Sequence, residues 1–231
     1  MNKDKVVIYT VFIVITSLLF FSIKRFANAQ DSQEKIVYSI EPVGRAEYND
    51  MGLVKKNGSI VKFTTFRTQV LGFDDTEKIY TEPKTFLPLR VERDITMWMG
   101  KEYIVEEYSP DENSLVIRKF QNDKEVQKLA FKGDGPIHNA IMLPFFLRRI
   151  PELKVGWTFK ARFPDEFVVK LVNLEEVEVP AGKFKTYHFT SEPNKFEIWI
   201  SRDALHLPVK IKGVGGLGYT MVMQEHSVNT P

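Results

Sequence analysis

Beyond residue 35, apolar and polar side chains alternate with a period of two, interrupted by short turn-forming clusters. Alternation of this kind predicts antiparallel strands. Over Ile60 to Val70 it places Val61, Phe63 and Thr65 on one face, with Lys62, Thr64 and Thr68 interleaved on the other. Leu87 to Trp98 and Glu102 to Tyr108 flank Met99-Gly100-Lys101 as a hairpin, and Ser114 to Phe120 and Glu125 to Phe131 flank Asn122-Asp123 in the same way. Phe167 to Val179 turns at Pro180-Ala181-Gly182 into Lys183 to Thr190, and Lys195 to Ser201, Leu207 to Lys212 and Leu217 to His226 complete the series. No repeat, low-complexity tract or linker divides the run, so residues 30–231 are expected to form a single β-rich domain.

Pro136 to Ile150 breaks the alternation. Ile137, Ile141, Phe145 and Ile150 recur at near-helical spacing, with Pro136 at the start and Arg148-Arg149 at the end, where each suits a helix terminus. Pro144 is expected to kink or split this helix. An apolar helical segment among about ten strands is best used lying across a curved sheet and shielding it from water. Gly133 and Gly135 on one side and Gly156 on the other give it hinges, so it is expected to act as a lid.

The first 29 residues have a different composition. A basic start (Lys3, Lys5), an apolar run of 18 residues from Val6 to Ile23, and Ala27-Asn28-Ala29 form the layout of a secretory signal cleaved after Ala29. The length of the run, followed by Lys24-Arg25, leaves an uncleaved inner-membrane anchor as the alternative. Either way the domain is expected outside the cytosol, in the periplasm or exported. Setting aside Lys3, Lys5, Lys24, Arg25 and Asp4 leaves 28 basic and 29 acidic residues, a net charge of −1. The basic character of the whole chain therefore belongs to the export segment, and with it goes any argument from composition for a nucleic-acid partner. The absence of cysteine excludes thiol catalysis, Cys-ligated zinc and a lipid-modified N-terminal cysteine.

Three places carry a family resemblance. Leu147-Arg148-Arg149-Ile150-Pro151-Glu152-Leu153-Lys154-Val155-Gly156 looks like a helix end with a glycine-led return into a strand, and Val177-Glu178-Val179-Pro180-Ala181-Gly182-Lys183-Phe184 like a hairpin. Glu197-Ile198-Trp199-Ile200-Ser201-Arg202-Asp203 with Leu207-Pro208-Val209-Lys210-Ile211 looks like a Trp-bearing strand and its return. In this order, from about Tyr38 to His226, they resemble the exported bacterial family known as domain of unknown function 3108. The resemblance implies a mostly-β fold, a curved antiparallel sheet or incompletely closed β-barrel with one short helical segment packed on it, similar to periplasmic lipoprotein carriers. It implies no reaction and no catalytic residue.

Local motifs for chemistry are weak. Gly213-Val214-Gly215-Gly216-Leu217-Gly218 is followed by a strand, whereas a phosphate loop must open a helix, so it reads as a hairpin or bulge. His138, His188, His206 and His226 lack metal-ligand spacing and read as surface or hydrogen-bonded imidazoles. In the acidic cluster Glu175, Glu176 and Glu178, adjacent residues point to opposite faces of a strand, which argues against a catalytic carboxylate pair, and the cluster reads as a solvated strand end. Asp111-Glu112-Asn113 lacks the later residues of a calcium loop, and no Gly-x-Ser-x-Gly elbow is present. The wealth of aromatics remains. It suggests an apolar cleft beneath the helix, with Ile141, Phe145, Phe146, Trp157 and Trp199 as candidate ligand contacts. The expected function is a non-catalytic periplasmic binding or carrier module for an apolar cell-envelope molecule such as a lipid, without a cofactor or metal. Alternatives are a scaffold that docks an envelope protein and, third, a hydrolase with an unrecognised site.

Overall fold

The computed structural model describes residues 33–214 and 218–229. The expected export segment with its cleavage site after Ala29, and Gly215, Gly216 and Leu217 of the glycine-rich turn, lie outside the described residues. The strands are β1 (Gln33–Glu41), β2 (Arg45–Lys56), β3 (Ser59–Val70), β4 (Phe73–Thr81), β5 (Pro88–Met97), β6 (Gly100–Ser109), β7 (Ser114–Gln121), β8 (Lys124–Lys132), β9 (Thr158–Arg162), β10 (Glu166–Val179), β11 (Gly182–Glu192), β12 (Phe196–Ser201), β13 (Pro208–Gly213) and β14 (Tyr219–Asn229). The helix α1 (Leu143–Leu147) stands between β8 and β9.

All strands join one sheet in the order β8-β7-β6-β5-β4-β3-β2-β1-β14-β13-β12-β11-β10-β9. Two meanders, β1 to β8 and β9 to β14, therefore meet at the antiparallel β1–β14 seam, where Ile36 faces His226 and Ile40 faces Met221. The free edges are β8 and β9, and no ladder joins them among the described residues. The sheet nevertheless curls. Leu115 and Ile117 of β7 line the same cleft as Phe163 and Pro164 of the β9–β10 turn. On a flat sheet, at about 4.8 Å per strand, those places would stand roughly 55 Å apart. The result is an incompletely closed β-barrel, as the family resemblance implies.

Cross-strand register identifies the core face. Ile36 pairs with Tyr48, Tyr48 with Phe66, Thr64 with Ile79 and Ile79 with Val91, and every one of these side chains is buried. On β3 the inward set is Thr64 and Phe66. Phe63 lies on the other side, stacked on Tyr80 with ring centroids 5.0 Å apart. The β5–β6 turn also differs by a residue or two from the expected one: Met97 pairs with Gly100, which puts Trp98 and Met99 in the turn.

Strands β1, β2, β4 and β9 were not resolved individually by sequence pattern. In β2 the stretch Asn49-Asp50-Met51-Gly52 forms a bulge. The register shifts between Asp50 and Leu53, Gly52 takes φ +80°, and its N–H donates to Asp50 Oδ1 at 2.9 Å.

The expected helix over Pro136 to Ile150 is shorter than its periodicity suggests. Only Leu143–Leu147 is helical, and Pro144 lies in the first turn, where its missing N–H costs no intrahelical bond, so there is no kink. Asn139 Oδ1 accepts the Met142 N–H at 3.1 Å. Upstream, the His138 N–H donates to the Arg162 carbonyl at 2.8 Å, tying the segment to β9. Residues 133–142 thus form a strap from the free β8 edge to α1. Its entry is tight: Gly133 donates its N–H to the Asn113 carbonyl at 2.8 Å, and a Cβ there would stand 2.8 Å from the Arg162 side chain. Among the described residues, no helix is long and apolar enough to cross a membrane.

Candidate binding cleft

Strands β4, β5 and β6 direct charged side chains to the core face. Glu77 pairs in register with both Phe66 and Arg93, and Glu106 with both Val91 and Ile117. Arg93 forms an ion pair with Asp75 through Nη2 and lies 3.7 Å from Glu77 through Nε. The Tyr108 hydroxyl donates to Glu106 Oε2 at 2.5 Å. Asp75 is buried and Glu77 is only 7% exposed. Two atoms inside this group, Asp75 Oδ1 and Arg93 Nε, are buried without a hydrogen-bond partner.

The opposite wall comes from the strap and the β9–β10 turn. His138, Asn139, Ala140 and Ile141, with Phe163 and Pro164, face Glu77, Arg93, Glu106 and Tyr108 across a cleft of about 330 Å3, whose floor includes Leu115 and Ile117. That volume lies within the range of small-molecule sites, as does the mixture of apolar walls with a few convergent polar groups. A second hollow of about 400 Å3, lined by Phe131, Lys132, Ile137, Arg162, Pro164 and Asp165, adjoins it where β8 and β9 fail to meet. A groove of about 370 Å3 beside the β5–β6 and β7–β8 turns holds Asp94, Lys101, Glu102 and Asp123. Glu102 and Asp94 are paired there with Lys119 and Lys78, so the groove presents less unsatisfied chemistry than the inner cleft.

Burial governs the titration of the cleft. It raises the Glu77 carboxyl to about 7; Arg93 opposes the shift, while Asp75 and Glu106 add to it. Burial followed by the Glu106 charge pushes the Tyr108 phenol well above its ordinary range. His138 is pushed down by burial. The Arg162 N–H donates to its Nδ1 at 3.3 Å, which requires that lone pair to be unprotonated. Among the described residues no group of three His, Cys, Asp or Glu side chains could hold a metal ion.

The expected ligand contacts separate into three places. Ile141 lines the cleft. Phe146 and Trp157 belong to an adjoining half-buried aromatic layer centred on Phe159, at 5.0 and 6.1 Å between ring centroids, with His138 at 5.2 Å from Phe159. Phe145 is 2% exposed and packs into the core. Trp199 is on the other side of the sheet: it pairs with His188, whereas Ile198 pairs with Phe189 on the core face. It stacks on His188 at 4.3 Å, Lys210 Nζ lies 4.7 Å from the centre of its ring, and its Nε1 donates to Glu175. Glu175 therefore belongs to this outer cluster and is more than a solvated strand end.

Sequence reasoning missed Asp75, Glu77, Arg93 and Glu106. A signal was present. Asp75 and Glu77 are in phase with Ile79, Arg93 with Val91 and Ile95, and Glu106 with Ile104 and Tyr108, so each is a charge at an inward position of an alternating strand.

A curled, unclosed antiparallel β-barrel with a strap-covered polar cleft on its inner face defines the class of this protein. The chain belongs to the family described as Protein of unknown function (DUF3108), whose model matches residues 36–224. Its fold is similar to that in the crystal structure of a β-barrel-like protein of domain of unknown function DUF1849 from Brucella abortus. That likeness covers 85% of this chain and 98% of the other, with a TM-score of 0.51 and 10% identity, so it concerns the fold alone. No curated protein matches the sequence.

Proposed function

We propose that this domain is an extracytoplasmic binding or carrier module that takes a small amphipathic cell-envelope molecule into the strap-covered cleft. One observation carries the reading: the Glu77 carboxyl, 7% exposed and without a hydrogen bond among the described residues, lines a cleft whose other walls include Ile117, Ile141 and Phe163. Arg93 Nε, at 3.7 Å, is too far to donate a hydrogen bond to that carboxyl, a buried carboxyl short of hydrogen bonds is costly, and a ligand that supplies them gains specificity as well as affinity. The reading departs from a purely apolar cargo under a helical lid. The helix is anchored in the core through Phe145, whereas the residues over the cleft belong to the strap. His138, Glu106 and Tyr108 also converge here, but His138 Nδ1 is occupied by the Arg162 N–H, which favours binding over acid–base work.

One observation supports a protein-docking scaffold as the second reading. Leu71 in the β3–β4 turn and Trp98 and Met99 in the β5–β6 turn are 84%, 87% and 75% exposed, at the same end of adjacent hairpins.

Native mass spectrometry of the full chain, expressed with its export segment and recovered from the exported fraction, tests the binding reading. A co-purified small molecule is expected on the parent and not on Ile117→Trp, which fills the cleft. Parent protein without any adduct, and without uptake of any amphiphile, would overturn the carrier reading and leave the docking one.

A further inference from the structure

Building on the cleft as a binding site, we propose that its ligand enters with a positively charged, hydrogen-bond-donating head, of alkylammonium type, seated between Glu77 and Glu106, and with its hydrocarbon part against Ile117, Ile141 and Phe163.

Charged and titratable side chains reach the cleft from each element around it. Strand β4 contributes Glu77, β5 contributes Arg93, β6 contributes Glu106 and Tyr108, and the strap contributes His138, while Asp75 of β4 is paired with Arg93 and does not line the cleft. Arg93 is committed to Asp75 through its Nη2. Glu77 receives no hydrogen bond among the described residues, its nearest cationic atom being Arg93 Nε at 3.7 Å. Glu106 accepts one bond, from Tyr108 to Oε2. Two carboxyls thus face the cavity against one arginine that is already paired within the wall. His138 adds no positive charge, since its Nδ1 accepts an N–H.

Ligand classes can be compared on that geometry. A carboxylate or phosphate head would meet Glu77 and Glu106 with only an arginine already paired to Asp75 in its favour. A hydroxyl head could donate one bond. An ammonium offers three donors, enough for one oxygen of Glu77 and the remaining oxygen of Glu106, and bonds between opposite charges are about twice as strong as neutral ones. A proton partly fills this role on Glu77, because burial raises its carboxyl to about 7. A bound cation displaces that proton, so affinity rises with pH through neutrality.

The test is calorimetric titration of the exported full chain with octylammonium, octanoate and 1-octanol, each well below micelle formation. Octylammonium is expected to bind about tenfold or more tightly than octanol, octanoate is expected not to saturate, and octylammonium affinity should be several-fold weaker at about pH 6 than at about pH 8. Glu77→Gln keeps the volume and should abolish the preference for the amine while leaving octanol binding in place; circular dichroism checks its fold. Ile117→Trp, and independently Ala140→Leu, should remove binding of both probes. If octanol or octanoate binds the parent as tightly as the amine and the cleft-filling variants abolish it, the charged-head inference falls and the binding module stands. If the amine preference survives in both Glu77→Gln and Glu106→Gln, the inference falls in the same way. If no probe binds the parent, both fall.

Discussion

The ring of Phe145 lies flat on the ring of Tyr48, with centroids 3.6 Å and planes 10° apart. This contact fastens α1 to β2 at the centre of the sheet, and both rings are almost wholly buried. Met142, Leu143 and Leu147 enter the same core beside them. The helix is therefore part of the packing that holds the curled sheet together. The residues that cover the cleft belong to the strap before it.

Phe145→Ala is accordingly expected to cost about 3–5 kcal/mol, as truncation of a fully buried phenylalanine does. Phe146→Ala, at a half-buried position, should cost markedly less. Urea unfolding of the two variants measures the difference. Near-equal losses would show that Phe145 is not the core contact described.

Glu34 near the start of β1 is held by Arg148 just after α1 through two bonds of 2.8 and 3.0 Å, with His226 Nε2 at 3.1 Å. Burial alone would raise this carboxyl, but the hydrogen bonds and charges of Arg148 and His226 hold it below its ordinary 4.5. A depressed folded-state value stabilises the fold above the unfolded-state value, and that stability is lost as pH falls through the folded-state value. Glu34→Gln should therefore lose roughly 1.5–3 kcal/mol at neutral pH. The gap from the parent should close in acid, as read from denaturant midpoints against pH.

Glu77 has the opposite sign. Its carboxyl is raised to about 7, so it destabilises the fold as pH rises from the unfolded-state value near 4.5 to about 7, where the folded form also ionises. The parent should become less stable across that window, by up to about 3 kcal/mol from this group. Glu77→Gln should lack that loss and exceed the parent above neutrality. Thermal unfolding of both proteins at acid and alkaline pH checks it, and a parallel pH response in the two would assign the shift elsewhere.

For the export segment, N-terminal sequencing of protein from a fractionated host is expected to begin at Gln30. Full-length chain in the inner membrane would select the anchor alternative, and full-length chain in the cytosol would overturn export.

Sequence by itself determined the strand-rich character, most of the hairpins and the place of the interrupting helix, because alternation and turn chemistry are local and each is fixed within a few residues. The Asn122-Asp123 turn between β7 and β8 and the Pro180-Ala181 turn between β10 and β11 stand where the pattern put them. It also offered inward-phased charges at Glu77, Arg93 and Glu106, though phase alone does not say which face of a strand is the inside. Only the tertiary structure decided that. The inward face of β3 was settled by pairing Tyr48 with Phe66, Trp199 was turned outward by its pairing with His188, and Phe145 was committed to the core by a ring on β2, almost a hundred residues away. The cleft itself depends on the curl that brings β7 and the β9–β10 turn, twelve strand positions apart in the sheet, to opposite sides of one strap. Curvature accumulates from small rotations between successive strands, so it has no signature in any single stretch of sequence.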